Sequence, residues 1–223
     1  MTIPDSVTNI GDYAFYDCSG LTSVMIGNGV TSIGYSAFTN CSGLTSIEIP
    51  NSVMSIDYGA FAYCSGLTSV TIGNGVTSIG ESAFSGCSRL TSIIVNSNNL
   101  IYQSIDGNLY SKGGKTLIKY AIGKTDESFT IPSSVTNIGK DAFAYCVGLV
   151  SLTIGNNVTK IEPYALFKCT SMLSITFNGT VEEWEKIDKD NDRTWSRYIP
   201  ATYVQCIDGR VEIPEYVEEE DEF

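Results

Sequence analysis

The sequence has no histidine, no Cys-x-x-Cys pair and no long apolar run. Without histidine, Ser-His and Cys-His nucleophilic mechanisms and the usual zinc sites are excluded. No stretch reaches the roughly 18 consecutive apolar residues of a membrane-spanning helix, so we expect no membrane insertion. Basic residues are scarce, 13 against 25 acidic ones, and the net charge is −12. Because such a chain repels phosphate backbones, we expect no nucleic-acid partner.

What the sequence has instead is a repeat of 23 residues, clearest in IGNGVTSIGYSAFTNCSGLTSIE, residues 26–48. Six copies occur, at residues 3–25, 26–48, 49–71, 72–94, 131–153 and 154–176. Self-similarity at a fixed period of this size predicts a repeat solenoid.

Within one unit, apolar or small residues recur at positions 1, 5, 8, 12, 13, 16, 19 and 22. Neither the strand period nor the helix period fits this whole pattern, so the unit is neither one strand nor one helix. In the second copy we predict a strand at 44–49, a shorter β segment at 30–33 and one tight helical turn at 36–41, with glycines at the corners. One such coil buries too little apolar surface alone, and stacking similar coils supplies the rest.

Parallel stacking in register, about 4.8 Å per coil, places equivalent residues in columns. One column would hold Phe15, Phe38, Phe61, Phe84, Phe143 and Leu166. A second would hold Cys18, Cys41, Cys64, Cys87, Cys146 and Cys169. Parallel neighbours at this spacing suit disulfides poorly, so we expect these thiols to be buried space-fillers. Cys206 stands outside the pattern, which leaves both exposure and burial open for its thiol.

The fuller pattern, I-P-x-S-V-T-x-I-G-x-x-A-F-x-x-C-x-x-L-x-S-I, closely resembles the BspA-like leucine-rich repeats of bacterial and protist surface proteins. The resemblance covers residues 3–94 and 131–176. It implies a right-handed leucine-rich-repeat horseshoe or rod of short parallel strands, in a secreted or surface-anchored protein used for adhesion or protein binding. The sixth copy departs most, with Leu166 for Phe and Glu162-Pro163 after its second β segment.

We interpret residues 1–223 as a single elongated domain with an interruption and a carboxy-terminal cap. Its parts are four repeats (3–94), a β-meander (95–130), two repeats (131–176), a helix-plus-hairpin cap (177–214) and an acidic tail (215–223). Asp106-Gly107 and residues 112–114 are hairpin turn signals within the meander. Four lysines lie there, Lys112, Lys115, Lys119 and Lys124, and a solvated hairpin is favoured over a binding patch.

The two ends of the chain carry different signals. Thr180 and Glu183 form a capping box, which predicts a short helix that covers the last coil with Trp184. At the other end, no polar capping segment precedes the first coil, so we expect the natural chain to begin upstream of Met1. The alternative is a first coil that caps itself. An uncapped first coil would also permit end-to-end association.

No catalytic, cofactor or metal site is indicated. Residues 188–192 imitate the first half of a calcium loop, but Arg193 and Ile199 stand where that loop needs Gly and Glu. A carboxylate pair for glycoside hydrolysis is a further alternative. The acids Asp12, Asp17, Asp57 and Glu81 are predicted to be sparse and exposed, with no cleft among them.

The most suggestive feature is a set of tyrosines around the predicted helical turn, at positions 10, 11, 14 and 15. They are Tyr13, Tyr16, Tyr35, Tyr58, Tyr63, Tyr145 and Tyr164. Tyrosine is favoured in binding surfaces because it offers a large rigid area and a polar tip. Equally, these rings could only cover neighbouring coils. The outer face of the longer strand ladder is a second, blander candidate surface. The sequence therefore predicts a binding module with a protein or glycan partner, and a structural spacer as the alternative.

Overall fold

The computed structural model describes residues 1–189 and 194–213, and most of them lie in stacked coils with short strands. We call the six repeats coils 1 to 6 in chain order. The strands of the first four coils are β1 (Thr2–Ile3), β2 (Asn9–Ile10), β3 (Met25–Ile26), β4 (Ser32–Ile33), β5 (Ser46–Ile49), β6 (Ser55–Ile56), β7 (Ser69–Ile72), β8 (Ser78–Ile79) and β9 (Ser92–Val95).

The remaining elements continue the same alternation with two additions, an antiparallel insertion and a short helix. They are β10 (Tyr102–Ile105), β11 (Asn108–Ser111), β12 (Thr116–Lys119), β13 (Ser128–Thr130), β14 (Asn137–Ile138), β15 (Ser151–Ile154), β16 (Lys160–Ile161), β17 (Ser174–Phe177), α1 (Val181–Glu185), β18 (Asp188–Lys189), a 3-10 turn at Thr194–Ser196, β19 (Tyr203–Gln205) and β20 (Arg210–Glu212). No helix among the described residues is both long and apolar enough to cross a membrane.

Strands pair in parallel with the equivalent strands of neighbouring coils, at a register shift of one repeat. β2, β4, β6 and β8 form one ladder, and β5, β7 and β9 form part of the other. Ile10 pairs with Ile33, and Ile33 with Ile56, so each isoleucine faces the interior at the same level of its coil. The alternating burial of β5 and β7 follows from the two-residue period of a strand. The predicted solenoid of short parallel strands is confirmed.

The tight turn predicted at residues 36–41 is present, and its hydrogen bonds differ from those of a helix. Ala37 N donates to Gly34 O within the coil (3.2 Å), whereas Phe38 N donates to Ala60 O of the next coil (2.7 Å). Amides alternate in this way along the turn. The alternation requires positive φ at positions 11 and 15 of every coil: Tyr13, Asp17, Ser36, Asn40, Gly59, Tyr63, Ser82, Gly86, Asp141, Tyr145, Tyr164 and Lys168.

The interior consists of the predicted columns. Phe15, Phe38 and Phe61 are stacked with ring centroids 4.9 and 5.2 Å apart, and Phe84 follows at 5.7 Å. The thiols of Cys41, Cys64, Cys87 and Cys169 donate to carbonyls one coil away, as Cys64 Sγ does to Phe38 O (3.0 Å).

The expectation of buried thiols is wrong at Cys18, and the structure settles the open case of Cys206. Cys18 is exposed, because no described coil covers the outer side of coil 1. Cys206 is buried, with 4% of its surface exposed, because it lies in the closing segment beside the last coil.

The interruption contains the predicted antiparallel strands and also a seventh, degenerate coil. β10, β11 and β12 form the meander, and β12 then pairs in parallel with β14 while β13 pairs with β15. Tyr120 takes the phenylalanine place: its N donates to Ala142 O (2.9 Å), and its ring stacks on Phe143 at 5.2 Å. Tyr120 and Phe143 are 23 residues apart, so the repeat period is kept from Tyr120 onward.

The degenerate coil has a shortened turn. Leu117 pairs with Ile138, and Tyr120 stacks on Phe143. Two residues separate Leu117 from Tyr120, but four separate Ile138 from Phe143. Because the degenerate coil is two residues shorter here, it lacks the tight turn of the other coils. One layer of turn is therefore missing between the turns of coils 4 and 5.

At the carboxy end, the predicted capping box and hairpin are confirmed. Thr180 Oγ1 accepts from Glu183 N (3.2 Å), and Glu183 Oε2 accepts from Thr180 N (2.8 Å). Trp184 of α1 is buried against Phe177. β18 pairs with β16 and β19 with β17, so the cap itself adds a further coil to both ladders. Most of the calcium-loop imitation (190–193) and the acidic tail (215–223) lie outside the described residues.

Candidate functional site

The seven candidate tyrosines all lie on one side of the solenoid, which we call the tyrosine face. They come from positions 10, 11, 14 and 15 of the turn, whereas the Ala, Phe and Cys side chains at positions 12, 13 and 16 are buried in coils 2 to 5. Five of the rings are between 37% and 54% exposed: Tyr13, Tyr16, Tyr35, Tyr58 and Tyr63. Tyr145 and Tyr164 are half-buried.

Ring contacts join the tyrosines into two runs. In the first run, on coils 1 to 3, Tyr13 contacts Tyr16 at 5.7 Å and Tyr35 at 5.1 Å. Tyr35 in turn stacks on Tyr58 at 5.4 Å, with ring planes 9° apart. The run therefore presents a continuous aromatic strip across three coils.

The second run crosses the place between coils 4 and 5 where the degenerate coil has no turn. Tyr63 of coil 3 contacts Tyr145 of coil 5 at 5.6 Å, and their phenol oxygens are 2.9 Å apart. Tyr145 contacts Phe167 at 5.5 Å, and Phe167 also contacts Tyr164 and Tyr198, each at 5.6 Å.

Burial raises the pKa of Tyr63 to about 12, with the Tyr145 hydrogen bond as the next cause. Lys168 Nζ lies over the Tyr145 and Phe167 rings, at 5.6 and 5.4 Å from their centroids.

Phe167 and Tyr198 belong to this surface and were missed by the sequence reasoning. Phe167 occupies position 14 of coil 6, the position that Tyr16 occupies in coil 1, and a search for all aromatics would have found it. The two readings of the tyrosines are compatible. The rings pack on their neighbours along the stack, and they still leave much of their area in solvent.

A cleft of about 280 Å³ separates the ends of the two runs; we call it the gap cleft. Its walls are aromatic: Tyr58 and Tyr63 come from coil 3, and Tyr145, Tyr164 and Phe167 come from coils 5 and 6. Its floor consists of small residues of coils 2 to 4, which are Ser36, Thr39, Gly59, Ala62, Ser82 and Ser85. Large and small residues at equivalent positions of successive coils therefore shape this recess.

Gly86 explains how Tyr63 reaches across coil 4. A Cβ at Gly86 would overlap Cδ1 and Cε1 of the Tyr63 ring, and the backbone there has φ +69°. Glycine is the residue that meets both requirements without strain. The ring therefore passes over coil 4 and contacts coil 5 directly.

A smaller cavity of about 170 Å³ adjoins the gap cleft and shares Ser82, Lys140 and Asp141 with it. Lys119 of the degenerate coil lines this cavity, only 5% exposed, and its Nζ donates to Asp141 O (2.8 Å). Burial lowers the pKa of the Lys119 ammonium. The expectation of a fully solvated lysine hairpin is therefore wrong at Lys119, because the shortened turn pulls it inside.

Carboxylates also converge here, contrary to the expectation that no cleft gathers acids. Glu81 pairs with Lys140 Nζ at 2.6 Å, and Asp141 Oδ2 accepts from Ser82 Oγ. Glu162 accepts from Asn137 Nδ2 and from Lys140 N (3.0 and 3.1 Å). Asp12, Asp17 and Asp57 are exposed as predicted. Each acid of the cavity is held by a hydrogen bond or ion pair, an arrangement that joins coils 4, 5 and 6.

Two other features of the molecule bear on ligand chemistry. No group of three or more His, Cys, Asp or Glu side chains in residues 1–189 and 194–213 could hold a metal ion. The outer face of the longer ladder exposes isolated apolar residues, with Met25 at 67% and Ile94 at 50%. Single exposed apolar side chains are normal on protein surfaces.

Comparison with known proteins gives a consistent result. The sequence model of the family described as BspA type Leucine rich repeat region matches residues 1–112 and 120–187, in six copies. A search of curated proteins finds no significant match.

Three solved bacterial structures are similar in fold. The pneumococcal vaccine antigen PcpA has a TM-score of 0.61 at 23% identity, over 78% of this chain and 52% of that one. A leucine-rich repeat protein from Bacteroides ovatus has a TM-score of 0.57 at 29% identity, over 79% and 48%. A leucine-rich cell surface protein from Faecalibacterium prausnitzii has a TM-score of 0.50 at 24% identity, over 85% and 82%. The chain thus spans about half the length of the first two structures.

Proposed function

The chain belongs to the BspA-type leucine-rich repeat family, and from that premise we propose that it is a recognition module of a secreted or surface-anchored protein, without catalytic activity. The tyrosine face is its binding surface. The partner is a host or neighbouring protein, or a glycan, and the outcome of binding is adhesion. The similar structures described as a vaccine antigen and a cell surface protein support this location.

One observation carries the proposal: five tyrosines stay between 37% and 54% exposed although each contacts another ring of the face. Rings that only covered the coils would be buried by their neighbours. Rigid aromatic area that is already ordered loses little side-chain entropy on binding, which favours affinity. The face is therefore pre-organised for a partner.

A structural spacer is the second candidate, and the regular stack of coils 1 to 4 favours it. Consecutive phenylalanine rings in this part are within 12° of parallel, so these coils repeat with little variation. Such a stack holds two ends of a protein at a fixed distance. It needs no ligand.

A binding screen separates the two functions. Purified extracellular-matrix proteins and immobilised glycans are presented to the wild-type chain, to Tyr35→Ser plus Tyr58→Ser, and to the control Leu100→Ser. Leu100 is 81% exposed and lies outside the tyrosine face. The recognition module predicts saturable binding that the double tyrosine variant loses and the control keeps. Absence of saturable binding to every member, or binding equal in all three proteins, favours the spacer.

A further inference from the structure

The gap cleft differs in chemistry from the rest of the tyrosine face. Elsewhere the face is an exposed strip of rings, but here it is a recess with aromatic walls and an adjoining cavity lined by charged groups. We propose that the gap cleft binds one residue of an uncharged, hydroxyl-rich oligosaccharide, whose chain continues over the flanking tyrosines. This inference rests on the proposed recognition function and specifies the ligand class for the same face.

The walls provide the apolar part of the site. Tyr58 and Tyr63 of coil 3 line the recess together with Tyr145 and Tyr164 of coils 5 and 6. Their rings are held by contacts with other rings, and Tyr63 and Tyr145 contact each other. A pyranose ring presents C–H groups on its faces and hydroxyls around its edge. Rigid aromatic surfaces with polar tips pack against such faces while their hydroxyls bond the edge. A flexible wall would lose more entropy on binding.

The charged end provides the polar part. An ammonium has three donors, and the one acceptor found for Lys119 Nζ within the described part of the chain is Asp141 O. Lys119 lines the small cavity, and leaving the other donors of a buried ammonium without acceptors is costly. A sugar hydroxyl accepts from an ammonium and donates to a carboxylate at the same time, so it suits a site that also contains Asp141 and Glu81.

The charges decide against other ligand classes. Lys140 and Asp141 line the recess itself, and Lys119, Glu81 and Glu162 line the adjoining small cavity. With Lys168 over the Tyr145 ring, three cations and three anions lie in or beside the two cavities. Because these charges balance, neither a phosphate-bearing or sulfated ligand nor a cationic ligand gains net attraction. A neutral ligand is the one that this balance fits.

The size of the recess sets the length of the buried part. At about 280 Å³, the gap cleft is slightly below the range of about 300–1,000 Å³ that is usual for drug-sized ligands. It therefore encloses a single sugar ring. Further rings of the same chain would lie on the exposed run of Tyr58, Tyr35 and Tyr13.

The test uses the full chain and soluble, short oligomers of glucose, xylose, mannose and N-acetylglucosamine, with heparin and polylysine as charged comparators. Saturation-transfer NMR detects binding and calorimetry measures the affinity. We expect at least one neutral oligomer to bind, and neither charged polymer to compete with it. Tyr145→Ala is expected to weaken binding about tenfold, the loss of one wall ring. Leu100→Ala, at an exposed apolar residue outside the tyrosine face, is the control and is expected to bind normally.

A second variant, which fills the recess with a larger side chain, keeps the test decisive if Tyr145→Ala does not fold. Ala62 lies on the floor at position 14, where coil 1 has Tyr16 and coil 6 has Phe167, so the turn accepts an aromatic there. Ala62→Phe is therefore expected to fold, to fill the recess and to abolish saccharide binding. Wild-type stability with unchanged binding in this variant would overturn the inference.

The outcomes also separate this inference from the proposed function. If no neutral oligomer binds at millimolar concentration while a purified protein binds in a tyrosine-dependent manner, the saccharide inference is wrong and the recognition function stands. If heparin competes better than every neutral oligomer, the charge argument is wrong. If nothing binds to any part of the face, both proposals fall.

Discussion

The phenol oxygens of Tyr63 and Tyr145 are 2.9 Å apart, although 82 residues separate them in the chain. They belong to coils 3 and 5, and Gly86 of coil 4 is the residue between them. The contact exists because the degenerate coil has no turn layer at this level. Without the shortened turn, another side chain would lie between the two rings.

Gly86→Ala is expected to destabilise the protein and to displace Tyr63. The new Cβ would collide with the ring, and a non-glycine residue at positive φ adds about 1–2 kcal/mol of strain. Gly113→Ala is the matched control, since Gly113 has φ +84° with open space around its Cβ position. Urea unfolding of both variants isolates the collision. Equal losses of stability would show that Tyr63 does not lie against Gly86.

Phe61→Ala is expected to cost about 3–5 kcal/mol of unfolding free energy, the usual loss for a buried aromatic side chain. Phe61 is fully buried and stacked between Phe38 and Phe84. Phe15→Ala, at the open side of coil 1, should cost clearly less, because Phe15 is half-buried and has a ring partner on one side only. Denaturant titration followed by circular dichroism measures both. A larger loss for Phe15 would contradict the stacking order.

Cys18 is expected to react with a thiol reagent much faster than the other six cysteines of the folded protein. It is exposed, whereas Cys41, Cys64 and Cys87 have no exposed surface. Ellman's reagent, read by absorbance and by mass spectrometry, should show one rapid modification. Cys18→Ser removes that modification, and unfolding in urea exposes every thiol. Rapid modification of several thiols in the Cys18→Ser protein would mean that the column is open to solvent.

Stability is expected to fall as the pH rises above about 9. Burial raises the pKa of Cys87 from 9.0 to about 12, and that of Tyr110 from 10.0 to about 12. The pKa of each of these groups is higher in the folded chain than in the unfolded chain. Below the unfolded pKa both states are protonated, and the group's full contribution to stability is present. Between the two values only the unfolded chain ionises, and stability is lost.

The Cys87→Ala variant provides the check on this pH dependence. Its unfolding free energy should decrease less than that of the wild type between about pH 8 and pH 11, because one ionising group is gone. Urea titrations at both pH values measure the difference. Identical decreases in the two proteins would show that Cys87 ionises equally in the folded and unfolded chain.

The sequence predicted the ladders because each coil repeats the same apolar positions. Phe38 and Phe61 are 23 residues apart and must come into register when strands pair in parallel. It also predicted the capping box of α1 from Thr180 and Glu183, since capping is a local interaction. The prediction of a helical turn at 36–41 was less accurate, because every second amide donates to a carbonyl of the neighbouring coil and not to one of its own turn.

The burial of Lys119 and the gap cleft were not predicted. A signal was present: Tyr120 and Phe143 are one period apart, as are residues 128–130 and 151–153. Aligning them exposes the deletion of two residues near Lys119. The sequence could not show what fills the resulting space, since that depends on side chains of coils 3 and 5.

Sequence alone thus determined the winding of the chain, its period and the columns of its interior, because a repeated pattern of apolar residues has one efficient way to be buried. Only the tertiary structure decided where the tyrosine face becomes a cleft. That outcome depends on one coil being short by two residues, which brings together Tyr63, Tyr145, Lys119 and Asp141 from parts of the chain that have no local reason to meet.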